Sequence, residues 1–485
     1  MIWFHKQGRS RKFHAVEVVS AVLAAVMTFV FVCPAFALDA NYSGNPRSDF
    51  EQKYERLTLK ILLLGMDFEQ YSLNYRMEAL RDQKFKRTRY FLGQETAAAG
   101  SMTAAIIGID QTYKVLHRPE KVSIRALQNL QTIGEVTSII GAASSGVELA
   151  ANSWHALRDK RKHQDSKSAT RYLTDEIKQI DNLLKERETL LQSSTDLSAN
   201  SARAAQYAAE TKLLNIMRDV LVTEHKNFEA TKVGFRTQEN VFYALNIGSS
   251  INSALQYRYG YKSVRTPKFG GTSAVFSTVS AGQVMLNPVV AAAASRYAKR
   301  RSKKVMDREF GIVHRPPSVD ELKASVVELQ NCAASTRDDS SCQATASAIL
   351  DAYGVVNEIF PKELLSEMAL LHQLEQVAVQ NVIMSQPIGG CAVASGVHSL
   401  LAYYKYADQP RRAGYQNHAS SITGLCGAGL ATGLTGVGYV VDLWYTHVLR
   451  SKGQLPEQLM QQRVIASKNV TGRIKKLMEQ IPPEQ

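Results

Sequence analysis

Three times along its 485 residues the chain spells Tyr-Lys-x4-Pro: Tyr113-Lys114 to Pro119, Tyr261-Lys262 to Pro267, and Tyr404-Lys405 to Pro410. The spacing from Tyr113 to Tyr261 is 148 residues, and from Tyr261 to Tyr404 it is 143. Each copy follows a run rich in small residues (97–109, 244–255, 389–401) and precedes another (133–151, 273–294, 422–441). At the first offset Gly100-Ser101 aligns with Gly248-Ser249, and Gly134 and Val136 align with Gly282 and Val284. Recurrence at a fixed long period, with matching flanks, is the mark of a duplicated supersecondary unit. Proline cannot continue a helix interior and disfavours helix at the residue before it. Each copy therefore predicts a helical hairpin: a weakly apolar helix, a basic turn, and a second weakly apolar helix.

The rest of the chain also reads as helix. Leu57, Ile61, Leu64 and Phe68 recur at i, i+4, i+7 and i+11, as do Leu173, Ile177, Ile180 and Leu184, the spacing of one helical face. No Asn-Gly or Asp-Gly turn joins alternating runs, so strand signals are nearly absent. The 13 prolines are expected between helices rather than within them. The fold class is all-α, with three repeated helix–hairpin–helix units, Gly/Ala-rich hairpins and long amphipathic, coiled-coil-like outer helices. Unit one covers 38–192 (hairpin about 92–153), unit two 193–331 (hairpin about 239–297), and unit three 332–485 (hairpin about 386–447) with a C-terminal helix. Polar breaks at 193–201 and 332–342 separate them. The outer segments 47–90 and 455–479 are expected to pack as neighbours and close the array.

The first 37 residues carry an address. Lys6, Arg9, Arg11 and Lys12 precede the apolar run 18–32, which leads into Ala35-Phe36-Ala37. This is the order of a secretory signal peptide, with cleavage expected after Ala37. The apolar core is short for a membrane span. Export implies an oxidising cell envelope, at the periplasm or the inner membrane, with secretion as the alternative. Beyond Cys33 in the leader, four cysteines remain as disulfide candidates: Cys332, Cys342, Cys391 and Cys426. Cys332 and Cys342 bracket a short polar break and are expected to bond. Cys391 and Cys426 average 408.5, inside the third turn, so they belong at one level of that hairpin.

Charge narrows the partners. The leader takes four of 58 Lys+Arg and one of 44 Asp+Glu, leaving 54 against 43, a net +11. For an exported chain this favours a membrane or acidic envelope surface over nucleic acid. Other envelope proteins, or self-association through the outer helices, are further candidates.

The hairpin runs are long enough to span a bilayer, and their tips carry the Tyr and Lys/Arg of an interfacial belt. Against this stand Glu95, Glu135, Glu148 and Asp442, each costing about 2.5–3.5 kcal/mol at a bilayer centre unless partnered. Small residues also serve tight packing in a water-soluble bundle, so the sequence leaves both readings open. No zincin, nucleophile-elbow, P-loop or C-x-x-C pattern occurs, and the histidines include no i, i+4 pair. No enzyme activity, cofactor or metal is expected. The leading expectation is a structural or scaffolding envelope protein. The alternatives are a pore or transport component using the hairpin carboxylates, and a soluble secreted bundle that inserts into membranes.

Overall fold

The computed structural model describes residues 48–81, 86–194, 201–311, 319–336, 342–352, 385–453 and 455–481. The expected leader 1–37 and parts of both polar breaks lie outside the described residues. The described chain is almost entirely α-helical, as the periodicity predicts, and contains no strand. Its helices are α1 Asp49–Arg81, α2 Lys86–His117, α3 Ile124–Arg161, α4 Ser166–Ser193, α5 Ser201–Ser263, α6 Phe269–Phe310 and α7 Val319–Ser335. Then follow the helical residues 342–352 (α8) and 385–400 (α9), the latter running into a π-helical turn at Leu401–Lys405. Helices α10 Pro410–Ser451 and α11 Pro456–Glu479 complete the chain.

Local chemistry sets the helix starts. Ser48 and Glu51 form a capping box: the Glu51 carboxylate accepts from Ser48 N at 3.2 Å, and Ser48 Oγ accepts from Glu51 N at 3.3 Å. Ser123 caps α3 by accepting from Ala126 N. Pro410 and Pro456 open α10 and α11, where a missing N–H costs nothing. One proline departs from expectation. Pro288 lies inside α6, buried beside Asn287; a neighbouring helix can re-satisfy the carbonyl that a proline orphans.

The helices form two tiers with opposite patterning. In the first, the head, apolar side chains turn inward in the ordinary way. Leu62, Met66 and Phe68 of α1 meet Leu173 and Ile177 of α4, Leu213 and Val222 of α5, Ile349 of α8, and Val470 and Ile474 of α11 in one core. Leu73 of α1 packs on Met460 and Val464 of α11, so the first and last outer helices are neighbours. Buried charges cross this core in pairs. Arg187 donates to Glu210 at 2.9 Å and to Tyr54 Oη and Thr58 Oγ1, all fully buried. Arg463 pairs with Glu69 and shares Glu224 with Arg76.

The second tier is built from α2, α3, the C-terminal part of α5, the N-terminal part of α6, α9 and α10. Helix α5 has 63 residues, about 95 Å at 1.5 Å per residue, and passes from head to hairpin without a break. All three Tyr-Lys-x4-Pro motifs stand where one helix gives way to the next. Arg118 to Ser123 join α2 to α3, residues 264–268 join α5 to α6, and residues 406–409 join α9 to α10.

The cysteine expectation needs correction: all four thiols are free. Cys342 is buried beside Tyr54 and Tyr207, its Sγ 3.6 Å from Tyr207 Oη, whereas Cys332 packs against the main core. They therefore occupy different pockets. In the third hairpin, a Cβ placed on Gly427 lies 3.3 Å from Cys391 Cβ, which is the level the turn arithmetic expects. Cys426 precedes Gly427 by one residue and so points about 100° away, onto the exposed face. Equal height without the right rotation forms no bond.

Candidate membrane-embedded surface

Along α3, the buried positions are Gly134, Thr137, Ser138, Gly141, Ser145 and Glu148, every one small or polar. The exposed positions on the opposite side include Val136, Ile139, Val147, Trp154 and Leu157, with Ile139 at 54% and Trp154 at 64%, interspersed with Asn129, Thr132, Ala143, Ala150 and Ser153. Helix α6 repeats the arrangement: Gly270, Ala274, Ser280, Ala281, Asn287 and Ala291 are buried, while Val275, Val279, Leu286, Val289, Val290 and Tyr297 face out. This is the reverse of the head. Fully burying one such apolar side chain is worth about 1.5–3 kcal/mol, so the five on α3, each about half exposed, forgo roughly 4–8 kcal/mol by facing outward. A water-soluble bundle would gain by turning them in; a lipid-facing one would not.

Several polar side chains of this tier bond to one another across helix seams. Ser138 Oγ meets Ser253 Oγ at 2.9 Å, Asn152 donates to Asn240 at 2.7 Å, and Asn246 donates to Ser145 at 2.8 Å. Ser280 donates to the Ser249 carbonyl at 2.9 Å. Glycines bring the backbones close enough for this. The ring of Tyr257 occupies the space a Cβ on Gly134 would need, and Tyr403 does the same at Gly270. On the outer faces, Thr96, Thr103 and Thr132 return their hydroxyls to the carbonyls four residues earlier, at 2.7, 2.9 and 3.0 Å. Such bonds leave no donor seeking water.

The four carboxylates singled out from the sequence do not converge. Glu148 is fully buried and accepts a bidentate pair from Arg89, at 2.6 and 2.9 Å. Glu135 lies 3.8 Å from Arg258. Glu95 is half-buried on α2, with one oxygen lacking a hydrogen-bond partner among the described residues, and Asp442 is half-buried on α10. The motif residues cluster at the hairpin tips. Lys114 pairs with Asp110 at 2.6 Å, Lys262 lies over the Tyr259 and Phe269 rings, and Lys405 over Tyr406. Tyr113, Tyr261 and Tyr404 are exposed there, and Pro119, Pro267 and Pro410 stand at the turns.

Sequence reasoning missed the basic partners Lys86 and Arg89. Lys86 is buried where head meets hairpin, bonded to Glu239 and to Asn152 at 2.9 Å. Nearby, a cleft of about 720 Å³ is lined by Tyr75, Glu78, Asp159, Lys232, Glu457 and Lys468. Lys232 donates to Tyr75 Oη at 2.6 Å, and burial pushes its ammonium pKa down to about 8. Among the described residues no cluster of three or more His, Cys, Asp or Glu could hold a metal.

Among the described residues two stretches are long and apolar enough to cross a membrane by composition, Phe269–Phe310 and Pro410–Glu479, with mean hydropathies of 1.3 and 1.4 in their best windows. The other hairpin helices fall short because their inward Ser, Thr, Asn and Gln dilute the average. No family model, curated protein or solved structure matches the chain.

Proposed function

We propose that this is a structural, non-catalytic protein of a cell envelope, held in the membrane by three helical hairpins, with a soluble head of outer helices for partners. The observation that carries the reading is the reversed patterning of α3 and α6, polar within and apolar without, beside a head patterned the ordinary way. Basic residues at 158–162 and 299–304 follow Trp154 and Tyr297 at the head-side end of the apolar stripes, which suits an acidic headgroup surface. The stripe from Val136 to Trp154 covers 19 residues, about 27 Å of helix from first to last, close to a hydrocarbon thickness of about 30 Å.

The threefold repeat belongs to this proposal. Gly100, Gly248 and Cys391 each stand 13 residues before the tyrosine of their motif (Tyr113, Tyr261, Tyr404). Each faces the returning helix at a similar remove: Gly100 meets Thr137, Gly248 meets Gln283 and Cys391 meets Gly427, which lie 24, 22 and 23 residues after those tyrosines. One hairpin register used three times accounts for the sequence period.

Alkaline carbonate extraction of membranes from expressing cells tests the reading. The protein is expected in the carbonate-resistant pellet and in the detergent extract of that pellet. Recovery in the carbonate supernatant overturns it and favours a soluble secreted bundle.

A further inference from the structure

Four helices wall the cleft of about 720 Å³: α1 with Tyr71 and Tyr75, the end of α3 with Asp159, α5 with Lys232, and α11 with Lys468. That volume falls within the range of small-molecule sites, about 300–1,000 Å³. Two of its carboxylates have cationic partners: Arg236 donates to Asp159 at 3.2 Å, and Arg158 lies 3.7 Å from Glu78. Lys232 has no partner of opposite charge. Among the described residues its Nζ makes one hydrogen bond, to Tyr75 Oη, and no ion pair.

The hydrogen bonds beneath Lys232 run in one direction. Glu229 is fully buried and accepts from Tyr75 Oη at 2.8 Å and from Ser166 Oγ. Burial and the Glu229 carboxylate hold the Tyr75 phenol protonated far above its ordinary range. Tyr75 therefore gives its only proton to Glu229 and can only accept from Lys232. A neutral Lys232 amine so placed donates one N–H to Tyr75, and its nitrogen lone pair meets no donor among the described residues. The charges around it come from every wall. Asp159 of α3, Asp165 ahead of α4 and Glu229 of α5 favour the ammonium; burial, the largest influence, and Arg236 oppose it. Glu78 of α1 and Glu457 and Lys468 of α11 complete the charged lining. An amine enclosed in a cleft beside another cation is the setting that makes a lysine nucleophilic.

We propose that Lys232 is a nucleophilic lysine and that the cleft captures small polar aldehydes as imines on its Nζ. The nitrogen lone pair forms a bond to the carbonyl carbon, and the carbonyl π pair moves to oxygen. A proton passes from nitrogen to that oxygen, giving a carbinolamine. With a further proton from the cleft's solvent the hydroxyl leaves as water, while the nitrogen lone pair closes the C=N bond. No oxidant or reductant is needed, and water reverses the capture. Gln164, Gln461 and Lys468 line the same cleft, which suits an aldehyde with polar or anionic substituents. The site belongs to the head, so the inference does not depend on the membrane reading.

The test is peptide mapping of the full chain in detergent after treatment with 4-carboxybenzaldehyde and cyanoborohydride, which fixes each imine as a secondary amine. At pH 7.5 a pKa near 8 leaves about a quarter of the Lys232 amine neutral, against about one part in a thousand for an ordinary lysine. Lower basicity and narrower access offset part of that advantage. Lys232 is expected to label at least about tenfold faster than the exposed Lys160 and Lys304. Its rate should level off above pH 8, whereas theirs should still rise at pH 10. Without the reductant, dialysis should remove the probe. Lys232→Arg should abolish the fast site and leave the slow labelling and the helical circular dichroism unchanged. Labelling at Lys232 no faster than at the exposed lysines, as a lysine merely packed against Tyr75 would give, overturns the proposal. A rate at Lys232 that still climbs at pH 10 overturns it equally.

Discussion

At the residue scale the head depends on charges that have left water together. Arg187 and Glu210 are both fully buried, and Tyr54, Thr58 and Thr211 accept from the remaining guanidinium donors. Removing one partner strands the other, which costs about 3–5 kcal/mol. Glu210→Ala should therefore lower the stability of the head sharply, whereas neutralising the exposed pair Lys212–Glu328 should change it by less than about 1 kcal/mol. Urea titrations followed by circular dichroism check both. His225 supplies a pH dependence. It is fully buried among Phe68, Tyr75 and Phe310, with no hydrogen-bond partner at either ring nitrogen among the described residues. Burial, aided by Arg76 and Lys232, pushes its pKa from 6.5 down to about 3. The unfolded chain therefore binds a proton that the folded one refuses, and stability falls as pH drops from about 6.5 toward 3. Its slope is at most about 1.4 kcal/mol per pH unit for this one group. His225→Leu should flatten that part of the stability profile while leaving stability at pH 8 nearly unchanged; a profile identical to that of the parent chain would contradict the assignment.

At the element scale, the hairpins depend on absent side chains. A Cβ on Gly100 collides with the Thr137 side chain across the α2–α3 seam, whereas one on Gly146 meets nothing within 4 Å. Gly100→Leu should destabilise the hairpin by about 1–3 kcal/mol through overpacking, and Gly146→Leu should be close to neutral; thermal unfolding in detergent compares the two. The helices themselves were legible in the sequence. Leu57, Ile61, Leu64 and Phe68 lie on the inward side of α1 because a 3.6-residue period on a long proline-free run admits no other element. The hairpin turns were legible because proline punctuates them. The polarity of the hairpin faces was not. Asn246, Ser250, Ser253 and Tyr257 recur at i, i+4, i+7 and i+11 on α5, but a polar stripe at helical spacing reads from sequence as a solvated face. Only a neighbouring helix shows that it is a seam. The partners of Glu148 were hidden for a related reason: Arg89 lies 59 residues away in sequence. The cysteines show the same limit, since turn arithmetic fixes height along a helix but not rotation about it.

At the scale of the whole molecule, two tiers patterned in opposite senses share single helices. Helix α5 buries Leu213, Leu214 and Val222 in the head, then buries Ser249 and exposes Ile251 in the hairpin. A continuous helix that reverses its patterning midway suits two solvents, of which the proposed second is lipid. Trp154 reports on this directly, because it stands exposed on the apolar stripe of α3. The chain has three tryptophans, so in the W3F/W444F variant Trp154 alone fluoresces. Reconstituted into vesicles, that variant should be quenched by lipids brominated on the upper acyl chain and shielded from iodide in the buffer. Quenching by iodide with no response to brominated lipid would contradict the account.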